Sequence, residues 1–451
     1  MTDILNEKLV EDVKSSVREN NRTFLKNVLD EMRPADVADL IEHLEQEERL
    51  YVFEVLEPEG AGEVLVEIEP PFQGSILSNL DNRSISEIVK ELDSDDAADL
   101  VGDLPADRAQ EIINALSDDV SGDLEKLLPY PDDTAGGLMA LEFVAVKADS
   151  TVEEAIEVIR EKREEVENLY YVFVIDDFGR LAGILSLKDL VLEPPERKIA
   201  DIMNPEVISV HVNTDQEEVA HLVKKYDLVS IPVVDRNHRL VGRITHDDII
   251  DVIEEEADED ITFMAGVIRQ EIAEESAMKI SRARLPWLLA GLLGGILAAV
   301  VINQFESSLE RILALSFFFP VIMAMGGNTG TQAATVAVRG LATGDISMVH
   351  IGKRLITEMK VAMVNGIICG VLLGAVVSIW LSDYALGGIV AFSLILIILS
   401  SGFIGAAVPL ALKRVNVDPA IATGPFVTTT NDIFSLFIYL GLVTCFLRMT
   451  A

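Results

Sequence analysis

Residues 385–412 read ALGGIVAFSLILIILSSGFIGAAVPLAL, 28 positions without a single charge. A helix crossing the hydrocarbon core of a bilayer needs roughly 20 such residues, so this stretch is long enough to span. Working outward, four more apolar runs qualify, at 285–303, 312–338, 361–381 and 421–447. Five runs within the last 170 residues leave too little polar surface for a soluble globule. The 451-residue chain nevertheless carries 36 Lys+Arg against 75 Asp+Glu, a net charge of −39, beside a hydrophobic fraction of 49%.

Cut after Ser281, the chain separates into two chemistries. Residues 1–281 hold 68 acids and 26 bases, a net of −42, and residues 282–451 hold 7 acids and 10 bases, a net of +3. A soluble half of that sign repels a phosphate backbone, which argues against nucleic acid as a partner. The two cysteines, Cys369 and Cys445, both lie in apolar runs, so neither a disulfide framework nor a Cys-based zinc site is expected. The opening MTDILNEKLVEDVK lacks the apolar core of a cleaved leader, so the acidic half is expected in the cytoplasm. Arg282 and Arg284 precede the first run, Arg339, Lys353 and Arg354 separate the second from the third, and Lys413 and Arg414 separate the fourth from the fifth. The positive-inside rule then places the N-terminal domains inside the cell (inner) membrane and the C-terminus outside.

Polar residues at bilayer depth carry the functional information. The second run contains GGNTGTQ at 326–332, three glycines beside Asn328, Thr329, Thr331 and Gln332. Such a surface suits either close helix packing or a hydrated path. The fifth run contains TTTND at 428–432, with Asp432 among hydroxyl and amide groups. An intramembrane carboxylate costs several kcal/mol unless paired and marks a functional site by default. The only base of that run, Arg448, lies about four turns away, so Asp432 points to a cation.

The soluble half contains an internal repeat. VFVIDDFGRLAGILSLKDL at 172–190 matches IPVVDRNHRLVGRITHDDI at 231–249, pairing Asp176 with Asp235, Gly183 with Gly242 and Asp189 with Asp248. Each copy reads as strand, turn, strand and a helix opened by an acid, preceded by a first strand and an amphipathic helix. Residues 22–130 are helix-period throughout with short Pro, Gly and Asp breaks. Helices of about ten residues are marginal alone and must stack, here into a superhelix. Residues 249–284 also read as helical, and Glu256, Glu259 and Asp260 fall at i, i+3 and i+4 on one face.

The repeat over 138–254 resembles a tandem pair of cystathionine-β-synthase (CBS) domains, regulatory modules that often bind adenosine nucleotides or dimerise. The full order, with YPDDTAGGLM at 130–139, IADIMNP at 199–205, GGNTGTQ, VDPA at 417–420 and TTTND, resembles the MgtE family of magnesium transporters. That resemblance implies a multidomain membrane protein. Its parts are an acidic all-α domain (1–131), two α/β CBS domains (132–197 and 198–254), a connecting plug helix (255–281) and a five-helix transmembrane domain (282–451). It implies a homodimeric Mg²⁺ channel in the lipid membrane, its pore built on the dimer axis from the second and fifth spans. Asp432 would bind the hydrated ion, with Asn328, Thr329 and Gly330 lining the path. Mg²⁺ dehydrates reluctantly and is usually held by one or two carboxylates through retained waters, which agrees. The resemblance further implies sensing of intracellular Mg²⁺ at Glu63, Asp95 and Asp99, at Glu217, Asp227, Asp248 and Asp251, at Glu256, Glu259 and Asp260, and at Asp418. Apposed acidic faces would repel at low Mg²⁺, and bridging ions would tip a two-state equilibrium toward a closed form. ATP at the CBS pair is a further expectation.

Two other readings compete with Mg²⁺ transport. One is transport of a different divalent cation, Mn²⁺, Co²⁺ or Ni²⁺, whose softer preferences would favour His or Cys in the path. His350 is the only histidine after Ser281, and it falls in a loop. The other is a nucleotide-sensing CBS protein with a membrane anchor, for which Asp432 has no purpose. The sequence contains no P-loop, nucleophile–base motif or metal triad, so an enzyme is not expected.

Overall fold

The computed structural model describes residues 7–163, 169–265, 277–342, 351–415, 417–420 and 424–450. They fall into two compact units, Met1–Ile253 and Glu254–Ala451.

The first unit opens with ten short helices among the described residues, from α1 (Glu7–Arg18) and α2 (Arg22–Leu29) to α10 (Asp118–Leu127). Proline in the first turn starts α3 (Pro34–Glu42), α5 (Pro58–Glu67) and α6 (Pro70–Asn79), where its missing N–H costs nothing. Asn21 and Asp81 cap α2 and α7 (Asn82–Val89) by accepting from the N–H groups of Phe24 and Ser84. None of these helices can bury its apolar stripe alone. Accordingly α3 packs on α5, α5 on α7 and α7 on α9 (Ala106–Ile113), while α4 (Gln46–Phe53) meets α6 and α8 (Ser94–Gly102) meets α10. The expected superhelix is therefore two rows of alternate helices.

Each CBS copy is a three-stranded sheet. In the first, β1 (Ala145–Lys147) runs parallel to β2 (Tyr171–Ile175), with α11 (Val152–Glu161) between them, and β2 pairs antiparallel with β3 (Leu181–Ser186) ahead of α12 (Leu187–Leu192). The second repeats this with β4 (Val210–His211), α13 (Gln216–Tyr226), β5 (Ser230–Val234), β6 (Leu240–Thr245) and α14 (His246–Ala265). Asp176 accepts from the N–H groups of Phe178 and Arg180 at 2.8 and 2.9 Å, and Asp235 does the same for Asn237 and Arg239 at 2.7 and 2.8 Å. Gly179 (φ 76°) and His238 (φ 61°) take the same left-handed position, so the different residues there preserve one turn. The two turns meet: Leu181 N–H donates to His238 O, and Leu240 N–H to Gly179 O.

The copies also exchange their leading segments. Ala140 bridges to Arg243 on β6, and Asn204 bridges to Ile184 on β3. A Cβ on Gly242 would press on Met139 Sδ and Ala140 O, and one on Gly183 on Met203 Sδ and Asn204 O. Those close crossings explain both glycines and both Met motifs of the sequence. The stretch before β1 thus pairs with the second copy, while Lys198 and Asn204 pair with the first. The second copy also shares a core with the helical array, where Leu40, Leu65, Ile85 and Leu124 join Val219, Ile231 and Ile249. The first copy keeps its own, around Val144, Val172 and Leu185.

Helix α14 continues unbroken through residues 254 and 255, where the junction between CBS pair and plug helix was expected. Residues 266–276 of that expected plug helix lie outside the described residues. The second unit then has α15 (Ala277–Gln304), a short α16 (Glu306–Arg311), α17 (Phe319–Ala342), α18 (Ile351–Leu381), α19 (Tyr384–Arg414) and α20 (Pro425–Thr450). Five of these segments are long and apolar enough to cross a membrane, each overlapping one expected run, the fifth starting at Phe426 rather than 421. Helix α18 starts ten residues before the expected 361, because Arg354 and Glu358 pair one turn apart and carry the helix through charged sequence. Gly366, Gly370 and Gly374 of α18 lie against Ile395, Ala391 and Gly387 of α19, the small residues that let membrane helices approach.

Nothing within 4 Å would meet a Cβ on Gly179, so only its left-handed backbone resists substitution. Gly179→Ala is expected to lower the stability of the Met1–Ile253 unit by about 1 kcal/mol, read by urea unfolding followed with circular dichroism. No change would mean that the turn relaxes.

Candidate cation sites

The GGNTGTQ motif stays helical within α17. Gly326 and Gly330, one turn apart, face Ser435 and Asn431 of α20, and a Cβ on either would overlap those side chains. The Gly330 carbonyl also lies where a Cβ on Gly405 of α19 would stand. Gly330, expected to line a path, is therefore buried among three helices as a packing position. Thr329 is half-buried and donates its hydroxyl to Met325 O at 2.8 Å. Asn328 and Gln332 are exposed on the outside of α17. Gly327 points at α20, where a Cβ would stand 3.8 Å from Asp432 Oδ1 and 3.5 Å from Thr428 Cγ2. Asp432 is half-buried and Thr428 exposed one turn before it. The fold thus brings Gly327, Thr428 and Asp432 together, leaves Asn328 exposed on α17, and sets Gly330 against Asn431 and Gly405.

The second candidate lies in the first unit, between α8 and the start of α14. Ser94 fixes the start of α8, donating to Glu142 Oε2 at 2.7 Å and accepting from Leu141 N–H at 2.8 Å. Asp248 closes the first turn of α14, accepting from Thr245 N–H at 3.0 Å and Thr245 O–H at 2.6 Å. Asp189 takes the same hydroxyl bond from Ser186 at 2.6 Å in the first copy. The acid that opens each copy's last helix is thus first a cap. In the second copy it also faces α8. Burial raises Asp95 well above the ordinary carboxylate range, reinforced by Asp96, Asp248 and Asp93. Asp96 is pushed to about 7 by burial, then by Asp248, Asp93, Asp247 and Asp251. Asp99 reaches about 7 from loss of surrounding water and the charges of Asp132, Asp96, Asp103 and Asp248, although it is exposed on α8. Burial raises Asp248 as well, against the pull of Thr245, and raises Asp103 beside Asp132.

Of the acids expected to sense Mg²⁺, the fold brings together Asp95, Asp99, Asp248 and Asp251. Asp96, Asp103, Asp132 and Asp247 join them and were missed. Asp96, Asp99 and Asp103 fall at i, i+3 and i+7 of one stretch, a spacing that was legible as a shared face. Glu63 is exposed on α5, Glu217 lies in the first turn of α13, and Asp227 ends α13 in a left-handed conformation. Those three are not among the principal neighbours of the α8 carboxylates. Asp418 accepts from Ala420 N–H at 2.8 Å, a local turn. Glu256, Glu259 and Asp260 are half-buried on α14 in the second unit. Among the described residues no three such side chains converge tightly enough to hold a bare metal ion.

An acidic α-helical array, a CBS pair and five membrane-length helices with a carboxylate among polar groups define a multi-pass membrane protein that handles cations. Comparison with known proteins narrows the class. Residues 319–442 match the family described as a divalent cation transporter, residues 32–133 match the MgtE intracellular N domain, and residues 135–196 and 199–255 each match the CBS domain. Magnesium transporter MgtE of Thermus thermophilus is 40% identical over 72% of this chain and 73% of its own length, and that of Enterococcus faecalis 38% identical over 73% and 72%. The crystal structure of the cytosolic domain of the Mg²⁺ channel MgtE in complex with ATP is 39% identical, with a TM-score of 0.51, covering 54% of this chain and 99% of that one. The soluble part of a magnesium transporter is 31% identical, with a TM-score of 0.50 over 56% and 99%. The chain belongs to the MgtE family of magnesium transporters.

Two expectations follow from the packing and the charge. Gly405→Ala sets a methyl group against the Gly330 carbonyl, backbone that cannot step aside, and is expected to cost about 1–3 kcal/mol. A melting temperature in detergent equal to that of the parent would show that α17 and α19 are not pressed together there. Asp96 titrates near 3.8 when unfolded and about 7 when folded, so between those values the native state binds more protons. Stability of the Met1–Ile253 unit without divalent ions therefore falls as pH rises from about 5 to about 7. Asp96→Asn should flatten part of that slope in thermal melts at constant ionic strength, and an unaltered slope would remove Asp96 from the cluster's electrostatics.

Proposed function

We propose that the chain is a Mg²⁺ channel of the cell membrane that works as a homodimer, with α17 and α20 of both copies on the two-fold axis. The observation that carries this reading is Asp432, a half-buried carboxylate that faces Gly327 of α17 one turn after the exposed Thr428, with Asn328 and Gln332 exposed on α17. Lipid satisfies none of these groups. A second copy applied to the same face would bring two Asp432 and two Asn328 around one aqueous path, since a two-fold interface uses the same patch twice. Two carboxylates suit Mg²⁺, which keeps several waters and demands an octahedral shell. The ion would move down its own gradient and the membrane potential, entering a cell whose side of the membrane holds the N-terminal domains while the C-terminus stays outside.

Regulation by the same ion fits the donor chemistry of the first unit. Carboxylates that have lost water and lie among like charges, with Arg243 near Asp248 as an opposing charge, are stabilised by a divalent cation. A set too dispersed for a bare ion still suits one bound through its water shell. Asp95, Asp96, Asp99, Asp248 and Asp251 would form the inner set, with Glu256, Glu259 and Asp260 on the later turns of α14. Glu63, Glu217, Asp227 and Asp418 would contribute at other contacts. The ATP in the related cytosolic domain supports nucleotide binding at the CBS pair here as well.

Asp432→Asn keeps the side-chain size and removes the charge. Its Mg²⁺ uptake into proteoliposomes is expected to fall at least tenfold, with the elution volume of the detergent-solubilised protein unchanged. Uptake at the parental rate would sink the assignment of Asp432 to the path.

A further inference from the structure

The glycine seam between α18 and α19 stops at Gly366, and toward the start of α18 the facing residues become large. Met359 and Met363 of α18 and Leu399 and Phe403 of α19 flank an open apolar groove of about 440 Å³, with Lys360 on its wall. That is within the range of small-molecule sites, about 300–1,000 Å³. Lys360 has a companion, Lys353, two turns away on the same face of the helix. Both are exposed, and neither has an ion-pair partner among the described residues, whereas the intervening Arg354 is tied to Glu358. Depth fixes what these cations meet. The 21 uncharged, mostly apolar residues from 361 to 381 cover about 31 Å of helix, the thickness of the hydrocarbon core. Lys360 therefore stands at the hydrocarbon boundary and Lys353 about 10 Å beyond it, among headgroups.

We propose that this groove binds one anionic phospholipid of the cytoplasmic leaflet, its phosphate between Lys353 and Lys360 and an acyl chain along Met359, Met363, Leu399 and Phe403. Charge selects the occupant, because two unpaired lysines at headgroup depth attract a net negative lipid. A zwitterionic headgroup would bring its own ammonium against them.

The test is native mass spectrometry of the detergent-solubilised full chain after equilibration with equal phosphatidylglycerol and phosphatidylcholine. The parent protein is expected to retain phosphatidylglycerol with a roughly 30-fold preference, the weight of two basic residues near a charged surface. The double variant Lys353→Gln, Lys360→Gln should bring the two lipids to parity. Leu399→Trp keeps both lysines but fills the groove and should lose both lipids. Equal retention of the two lipids by the parent overturns the proposal. So does undiminished phosphatidylglycerol on the Leu399→Trp variant, which would mean that the lipid does not sit in the groove.

Discussion

The first unit is organised around carboxylates that have given up water and lie among other carboxylates, with Arg243 as an opposing charge near Asp248. Coulomb repulsion between like charges a few ångströms apart grows as water is excluded, because the effective dielectric falls. Folding α8 against the first turn of α14 therefore works against the electrostatics of Asp95, Asp96 and Asp248. What holds them there is ordinary apolar packing, the shared core of Ile85, Val89, Val101 and Leu124 with Ile244, Ile249 and Val252. A protein that spends packing energy to confine negative charge has made a place whose stability depends on protons and cations. The raised carboxylates are the signature of that dependence.

In the second unit the corresponding constraint is contact distance. Without a hydrophobic force between helices in lipid, close packing must supply cohesion. Gly326 and Gly330 of α17, Gly405 of α19 and the three glycines of α18 provide it by letting backbones approach. The motif GGNTGTQ divides its work by helical angle. Gly326, Gly327 and Gly330 are buried against neighbouring helices, Gly327 facing Asp432, while Asn328 and Gln332 are exposed. A helix that must pack tightly and also present a wet face needs both kinds of residue within two turns. This is why glycines and amides are interleaved there.

Much of this was readable from residues alone, and the exceptions have physical causes. The five spans were legible because hydropathy over 20 residues is a strong signal, and their inner boundaries were not. An i,i+4 pair such as Arg354–Glu358 extends a helix through sequence that hydropathy counts as loop. The CBS hairpins were legible from Asp176 and Asp235, whose side chains build the turns, and the Gly179-to-His238 change proved harmless because histidine tolerates φ above zero. The exchange of leading segments was invisible. A repeat shows which segments are equivalent but not which copy each one pairs with, and Gly183 and Gly242 were the only hint of a close crossing. Asp432 was conspicuous because it is alone. Asp96 was lost among 75 acids, since burial and not composition distinguishes it.

Asp248 joins these threads. Its carboxylate is held by both donors of Thr245, so it cannot turn away from α8 without giving up the cap of α14. The helix it caps runs without a break to Ala265 and carries Glu256, Glu259 and Asp260 on its later turns. Any cation drawn to the α8 cluster thus acts on the first turn of that helix, at a residue whose geometry is already fixed. A surface acid on a free side chain would absorb the same ion by rotating. The capping role of Asp248 and its place in the cluster are therefore one device, and the cap makes the charge mechanically consequential.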